Sequence, residues 1–235
     1  MSDIEAWKRA AAVAAVDEVA SGMLVGLGTG STAVHAVREI GRRLAEGELR
    51  DVRGVPTSQS TALLAHQIGI PLLELPAGGV DVAIDGMDEV DGRLDCIKGL
   101  GGALTREKIV ATSARAFVLV GDVGKRVAVL AARTPVPVEV LAFGEQRTAE
   151  RLRGLGCEPR LRLAGGQPQV TDNGHHILDC HLAAGSTAEA VRRFAADVDR
   201  LPGVVAHGLF LGVAVAAYLA GPEGVVRWTG DRAAP

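Results

Sequence analysis

A short apolar run at residues 23–27 passes into Gly28-Thr29-Gly30-Ser31-Thr32 and then into a helical pattern at 33–44. That unit constrains the fold most. A strand that turns within five residues into a helix returns that helix across a sheet, the start of a parallel βαβ arrangement. The pattern recurs. Residues 52–56 read as a strand, 57–68 as a polar turn and helix, 71–75 and 81–84 as strands, 104–115 as a helix and 117–120 as a strand. A helix at 4–19 opens the chain and stops at Ser21-Gly22. The alternation predicts an α/β domain: a Rossmann-like open, mostly parallel sheet with helices on both faces.

The texture changes near Thr134-Pro135-Val136-Pro137. A strand at 138–141, a helix at 146–155, strands at 158–162, 169–171 and 176–180, and a helix at 187–198 follow, with Asn173-Gly174 as a hairpin signal. This β-α-β-β-α order predicts a smaller α+β, ferredoxin-like lobe at 133–204. Apolar strands at 204–209, 213–220 and 225–228 are expected to rejoin the first domain, which then comprises 1–132 and 205–235.

Composition narrows the function. A net charge of −3, no basic run and 3% aromatic residues argue against nucleic acid as a partner. Residues 4–20 are amphipathic, with Glu5, Lys8, Arg9, Asp17 and Glu18, so no secretory leader is read there. The longest apolar run, 209–220, is far short of the roughly 20 residues of a membrane span. Cys96, Cys157 and Cys180 are odd in number and widely spaced, which fits reduced, buried thiols rather than a disulfide framework. A soluble cytoplasmic protein is expected.

The glycine loop at 28–32 is an anion site by geometry, because N–H groups at a helix start and the helix dipole both favour negative charge. It is not a dinucleotide loop. Ser31 stands where the fingerprint has its third glycine, and no acid ends the strand at 52–56. No P-loop lysine follows it either. A single phosphate monoester fits better, with a plain βα turn capped by a Ser or Thr as the bland alternative.

Asp85-Gly86-Met87-Asp88-Glu89-Val90-Asp91 comes directly after the strand at 81–84, where open α/β sheets bind ligands. Lys98-Gly99-Leu100-Gly101-Gly102 follows, and then Glu107 in or near the first turn of a helix. Acids, a lysine, a glycine loop and a further glutamate suit proton transfer beside a carbonyl of a sugar phosphate. Glu107 is placed to act as the base. Lys98 and the N–H groups of Gly99 to Gly102 can hold an enediolate oxygen, and Asp85 and Asp88 can serve the sugar hydroxyls. Singly, each also reads as a cap, turn or surface residue, and Glu89 and Asp91 read as solvated neighbours. His175, His176 and His181 are close in sequence but match no metal motif, so they read as turn and strand histidines and no metal is expected.

These segments resemble ribose-5-phosphate isomerase, type A. So do Pro137-Val138-Glu139-Val140, Val170-Thr171-Asp172-Asn173-Gly174 and Pro202-Gly203-Val204-Val205, in order along nearly the whole chain. The resemblance implies interconversion of ribose 5-phosphate and ribulose 5-phosphate through an enediolate, without metal or organic cofactor, in a homodimer or homotetramer. It makes Glu107 the base that shuttles the proton and Asp85 the acid/base for ring opening. Asp88, Lys98, Gly99, Gly101 and Gly102 become binders of substrate and intermediate. Thr29, Gly30, Ser31 and Thr32 become the substrate loop, with Lys8 and Lys125 near the phosphate. Three positions depart from the family pattern: Met87 replaces the usual alanine, Leu100 interrupts a run of glycines, and Val123-Gly124 replaces a more polar pair. Two rival readings exist. A sugar-phosphate sensor calls for a DNA-binding helix-turn-helix, and none is read ahead of the first strand. An acyl transferase with a glutamate nucleophile leaves Lys98 and the two aspartates without a task.

Overall fold

The computed structural model describes residues 3–231. In chain order the helices and strands are α1 (Asp3–Ala15), β1 (Leu24–Leu27), α2 (Ala33–Ala45), β2 (Arg53–Pro56), α3 (Gln59–Gln67), β3 (Val80–Gly86), β4 (Glu89–Val90) and β5 (Cys96–Ile97). Next come α4 (Leu104–Thr112), β6 (Ala114–Asp122), β7 (Val136–Val140), α5 (Glu145–Gly154), β8 (Cys157–Leu161), β9 (Leu163–Ala164), β10 (Gln167–Pro168) and β11 (His176–Leu182). The last are α6 (Ala188–Val198), β12 (Val204–His207), β13 (Leu209–Phe210), β14 (Ala216–Gly221) and β15 (Gly224–Trp228). They divide into two compact units.

Among the described residues the first unit takes 3–87, Arg106–Lys125 and 212–231. Its sheet has the order β15-β14-β6-β3-β1-β2, parallel throughout except for the β14–β15 hairpin. β1 and β14 are buried along their whole length, as strands covered on both faces must be. Val25, Leu27, Val82, Ile84, Val118 and Val120 meet Ala11, Ala15, Val37 and Ile40 in one core. From β1 the chain moves to β2 on one side and later to β3 on the other. The C-terminal ends of β1 and β3 therefore form a topological switch point, the usual ligand crevice of open α/β sheets.

The second unit comprises Asp88–Thr105 and Arg126–Leu211. Its larger sheet is antiparallel with the order β12-β7-β11-β8, and α5 and α6 lie between the strands in sequence. Numbered within the lobe, β-α-β-β-α-β in the order 4-1-3-2 is the ferredoxin-like arrangement. A second small sheet, β13-β5-β4, sits beside it in the topology.

Several expectations shift, among them the strand at 169–171, which gives way to β9 and β10. The strand at 71–75 is reduced to a bridge between Leu72 and Gly54. The strand at 204–209 does not rejoin the large sheet, because β12 pairs with β7 and β13 with β5. The unit boundaries also differ from 132/133 and 204/205. Residues 88–105 go with the second unit because β5 pairs with β4 on one side and with β13 on the other, Lys98 N donates to Gly208 O, and Val127 N donates to Val90 O. Strands two residues long carry no readable alternation.

Candidate active site

In the first unit, Asp85 at the end of β3 is 2% exposed. Its Oδ1 accepts the Thr29 N–H at 3.0 Å and the Gly86 N–H at 2.7 Å. A carboxylate that takes two backbone N–H groups fixes the loop against the strand end. Gly28 lies between them. A Cβ on Gly28 would collide with the Asp85 carboxylate and the Ile84 carbonyl. Glycine is therefore required there by close approach.

Thr29 is held from the other side by hydroxyls the sequence reading did not single out. Its Oγ1 lies 2.7 Å from Thr57 Oγ1, 2.8 Å from Ser58 Oγ and 3.1 Å from Thr61 Oγ1. Thr57 Oγ1 also donates to Leu27 O and Thr61 Oγ1 to Gly28 O. Ser58 is the N-cap of α3. The signal was present as four hydroxyl residues among the five at 57–61 after a strand end.

Further along the loop Gly30 and Ser31 are exposed and Thr32 is buried. Gly30 has φ +109°, a conformation L side chains rarely adopt. Thr32 precedes α2 but makes no side-chain cap bond, so the capping alternative does not account for it. Lys8 Nζ reaches Ser31 Oγ at 3.1 Å, which puts a cation on the loop.

Glu107 lies in the first turn of α4 and is 4% exposed. Its helix is drawn close to the sheet by a second glycine. A Cβ on Gly26 would meet Val110 Cγ1 at 2.5 Å and Ala83 Cβ at 2.8 Å. Val110 is three residues after Glu107, so both lie on one face of α4. Lys125 ends a short 3-10 turn after β6. A Cβ on Gly121 would meet Met87 Cε at 2.8 Å and Lys125 Cγ at 3.5 Å. The unusual Met87 thus fills the space over Gly121, beside the Lys125 stem.

In the second unit, Lys98 is 2% exposed, with its ammonium 5.7 Å from the Phe210 ring centroid, a cation–π distance. Gly99 and Gly102 have φ +104° and +89°, which explains glycine at both. Leu100 is not among the residues of positive φ, and its side chain is exposed. Its N–H donates to Asp88 Oδ2 at 3.1 Å. The interrupted glycine run therefore costs the loop nothing. We expect Leu100→Ala to leave kcat/KM within about twofold of the parent, as for surface changes away from special features; steady-state kinetics check it. The amides are not equivalent. Gly102 N donates within the turn to Gly99 O at 3.0 Å, whereas Gly101 N donates to no acceptor among the described residues.

Two neighbours differ from expectation. Glu89 and Asp91 are buried, not solvated. Glu89 Oε1 accepts the N–H groups of Arg133 and Thr134, and Asp91 Oδ1 those of Arg93 and Asp95. Burial pushes the Asp91 carboxyl above the ordinary range, against the pull of those N–H groups. Both acids serve the fold. His176 pairs with Glu145. Among the described residues no group of three or more His, Cys, Asp or Glu side chains is arranged to hold a metal, and no helix is long and apolar enough to cross a membrane.

An open α/β sheet with a glycine and hydroxyl loop and a buried carboxylate at its switch point, and a buried glutamate on a later helix, has the ligand crevice of the α/β class, furnished with carboxylates of the kind that exchange protons. Residues 53–224 match the family model described as ribose 5-phosphate isomerase A (phosphoriboisomerase A). The chain is 52% identical over 226 residues to ribose-5-phosphate isomerase A of Roseiflexus castenholzii, covering 95% of each chain. It is 46% identical over 227 residues to that of Deinococcus radiodurans, covering 97% of this chain and 99% of the other. Among solved structures it is similar to the ribose 5-phosphate isomerase of Plasmodium falciparum, with TM-score 0.93, 35% identity and coverage of 97% and 100%. A D-ribose-5-phosphate isomerase in complex with phospho-erythronic acid matches with TM-score 0.92 at 35% identity, covering 97% and 99%. The chain belongs to the ribose 5-phosphate isomerase A family and is an isomerase.

Proposed function

We propose that the chain interconverts D-ribose 5-phosphate and D-ribulose 5-phosphate through an enediolate, as a step of the non-oxidative pentose phosphate pathway. Beyond family membership, the observation that carries this is the tie between Thr29 N–H and Asp85, which fixes an anion loop to a carboxylate at the switch point. The loop residues Thr29, Gly30, Ser31 and Thr32, with Lys8 and Lys125, take the phosphate. Asp85 moves protons among the sugar oxygens and opens the ring. Glu107 takes the proton from C2 and returns it to C1. Lys98, with the loop amides, balances the negative charge that develops on the oxygens, and Asp88 holds a sugar hydroxyl. The reaction needs only proton transfers, so neither metal nor organic cofactor enters it. Three buried free cysteines fit a reducing, cytoplasmic setting. Assembly as a homodimer or homotetramer is proposed from the family resemblance.

The test is an isomerisation assay on the purified protein with and without a chelator, and with ribose in place of its 5-phosphate. Turnover insensitive to chelator, and no saturation by ribose in the millimolar range, are expected. Equal use of both sugars would remove the phosphate loop from the account, and loss of turnover with chelator would bring in a metal.

A further inference from the structure

Arg162, just after β8, is 63 residues beyond Gly99, and the sequence marks it only as the end of an expected strand. Its side chain is only 11% exposed. Nε donates to Asp179 Oδ2 at 2.8 Å, and Nη2 donates to Asp179 Oδ1, so the carboxylate on β11 holds the guanidinium from one side. On the other side Nη1 donates to Gly99 O at 2.8 Å and to Leu100 O at 3.1 Å. These carbonyls belong to two successive peptide units of the glycine loop.

A trans peptide is planar, and its N–H points opposite to its C=O. The Gly99–Leu100 unit is therefore gripped at both ends, its carbonyl by Arg162 and its N–H by Asp88. The next unit has its carbonyl on the same guanidinium, so the Gly101 N–H is turned away from Arg162, toward the side on which Leu100 N–H meets Asp88. Two adjacent N–H groups thus face one way, one on a carboxylate that is itself a proposed substrate ligand and one free to donate. Arg162 itself is committed at Nε, Nη1 and Nη2. The fork suits this task and lysine's point charge does not.

We propose that Arg162, locked by Asp179, is a positioning residue that orients the Gly99–Leu100–Gly101 peptides, so that Gly101 N–H and Asp88 are held for the enediolate. It does not touch the substrate. The inference rests on the reading of Lys98 to Gly102 as the loop that meets the intermediate.

The test compares Arg162→Ala, Arg162→Lys, Asp179→Asn and Lys98→Met. The readouts are kcat, KM, inhibition by a four-carbon aldonic-acid phosphate whose carboxylate imitates the enediolate, inhibition by inorganic phosphate, and the thermal midpoint. For Arg162→Ala we expect kcat to fall about a hundredfold, the size of a misplaced catalytic contact. The aldonate phosphate should weaken at least about tenfold and inorganic phosphate by less than about twofold. Guanidinium at about 10 mM should restore part of kcat without raising the thermal midpoint, and Arg162→Lys should lie between parent and alanine. Should the alanine variant fail to fold, Asp179→Asn carries the test, with aldonate inhibition weakened and phosphate inhibition kept.

Unchanged aldonate inhibition in Arg162→Ala or Asp179→Asn overturns the proposal. So does a parallel fall of every readout with the thermal midpoint and no rescue, which would make Arg162 a fold residue only. If Lys98→Met is as active as the parent, the reading of the loop fails and the inference falls with it. If Lys98→Met is damaged while Arg162→Ala is not, the role of Arg162 alone is refuted.

Discussion

Glu107→Gln is expected to lower kcat by about 10²–10⁴-fold, the range a positioned general base supplies, while KM moves by less than about threefold. Glutamine keeps the shape of the side chain but is uncharged, carries an NH2 donor in place of one oxygen, and cannot act as a base. Burial to 4% exposure in the first turn of α4 makes isosteric replacement necessary, since a smaller residue would add a packing defect. A fall in kcat at constant KM separates a group used in the transition state from one that binds substrate. Retention of more than about a tenth of kcat would take the base away from Glu107.

Gly28→Ala is expected to act on stability and turnover together. The added methyl would overlap the Asp85 carboxylate and the Ile84 carbonyl. Neither side can yield easily, because Gly28 N donates to Ile84 O and Gly28 O accepts from Thr61 Oγ1. Overpacking of this kind costs about 1–3 kcal/mol, and a carboxylate displaced by about 1 Å lowers kcat/KM by about 10²-fold. Gly78→Ala is the control, since a Cβ there meets nothing within 4 Å. Urea midpoints and kcat/KM for the two variants check this. Matching behaviour of Gly28→Ala and Gly78→Ala would mean that the approach of loop to acid does not matter.

Both positions were visible in the sequence because they lie in short, local patterns. The strand, glycine loop and helix at 23–44 and the acid after a strand at 81–84 are set by the backbone and by neighbours within a few residues. The structure brings Thr29 and Asp85 together through one N–H, as a crevice between adjacent parallel strands requires. What was not legible is long-range. Arg162 reaches back 63 residues to Gly99, and no periodicity or spacing encodes that contact. Glu89 and Asp91 read as solvated because they are charged, yet backbone N–H groups from 44 and 45 residues away take up Glu89. The hydroxyls at 57–61 looked like turn residues, and only the strand order places them on Thr29. Leu100 stood out as an interruption of the glycine run because φ is not readable from composition. The positions that require glycine are Gly99 and Gly102, and the leucine occupies an ordinary one.

Isomerisation in heavy water, followed by proton NMR of both pentose phosphates, tests the central claim most directly. Transfer by a carboxylate through an enediolate predicts that solvent deuterium appears at C1 of ribulose 5-phosphate and at C2 of recovered ribose 5-phosphate. It also predicts that incorporation falls with turnover in Glu107→Gln. Complete retention of the substrate hydrogen over many turnovers, with no deuterium in either sugar, would point to direct hydride movement and contradict the account.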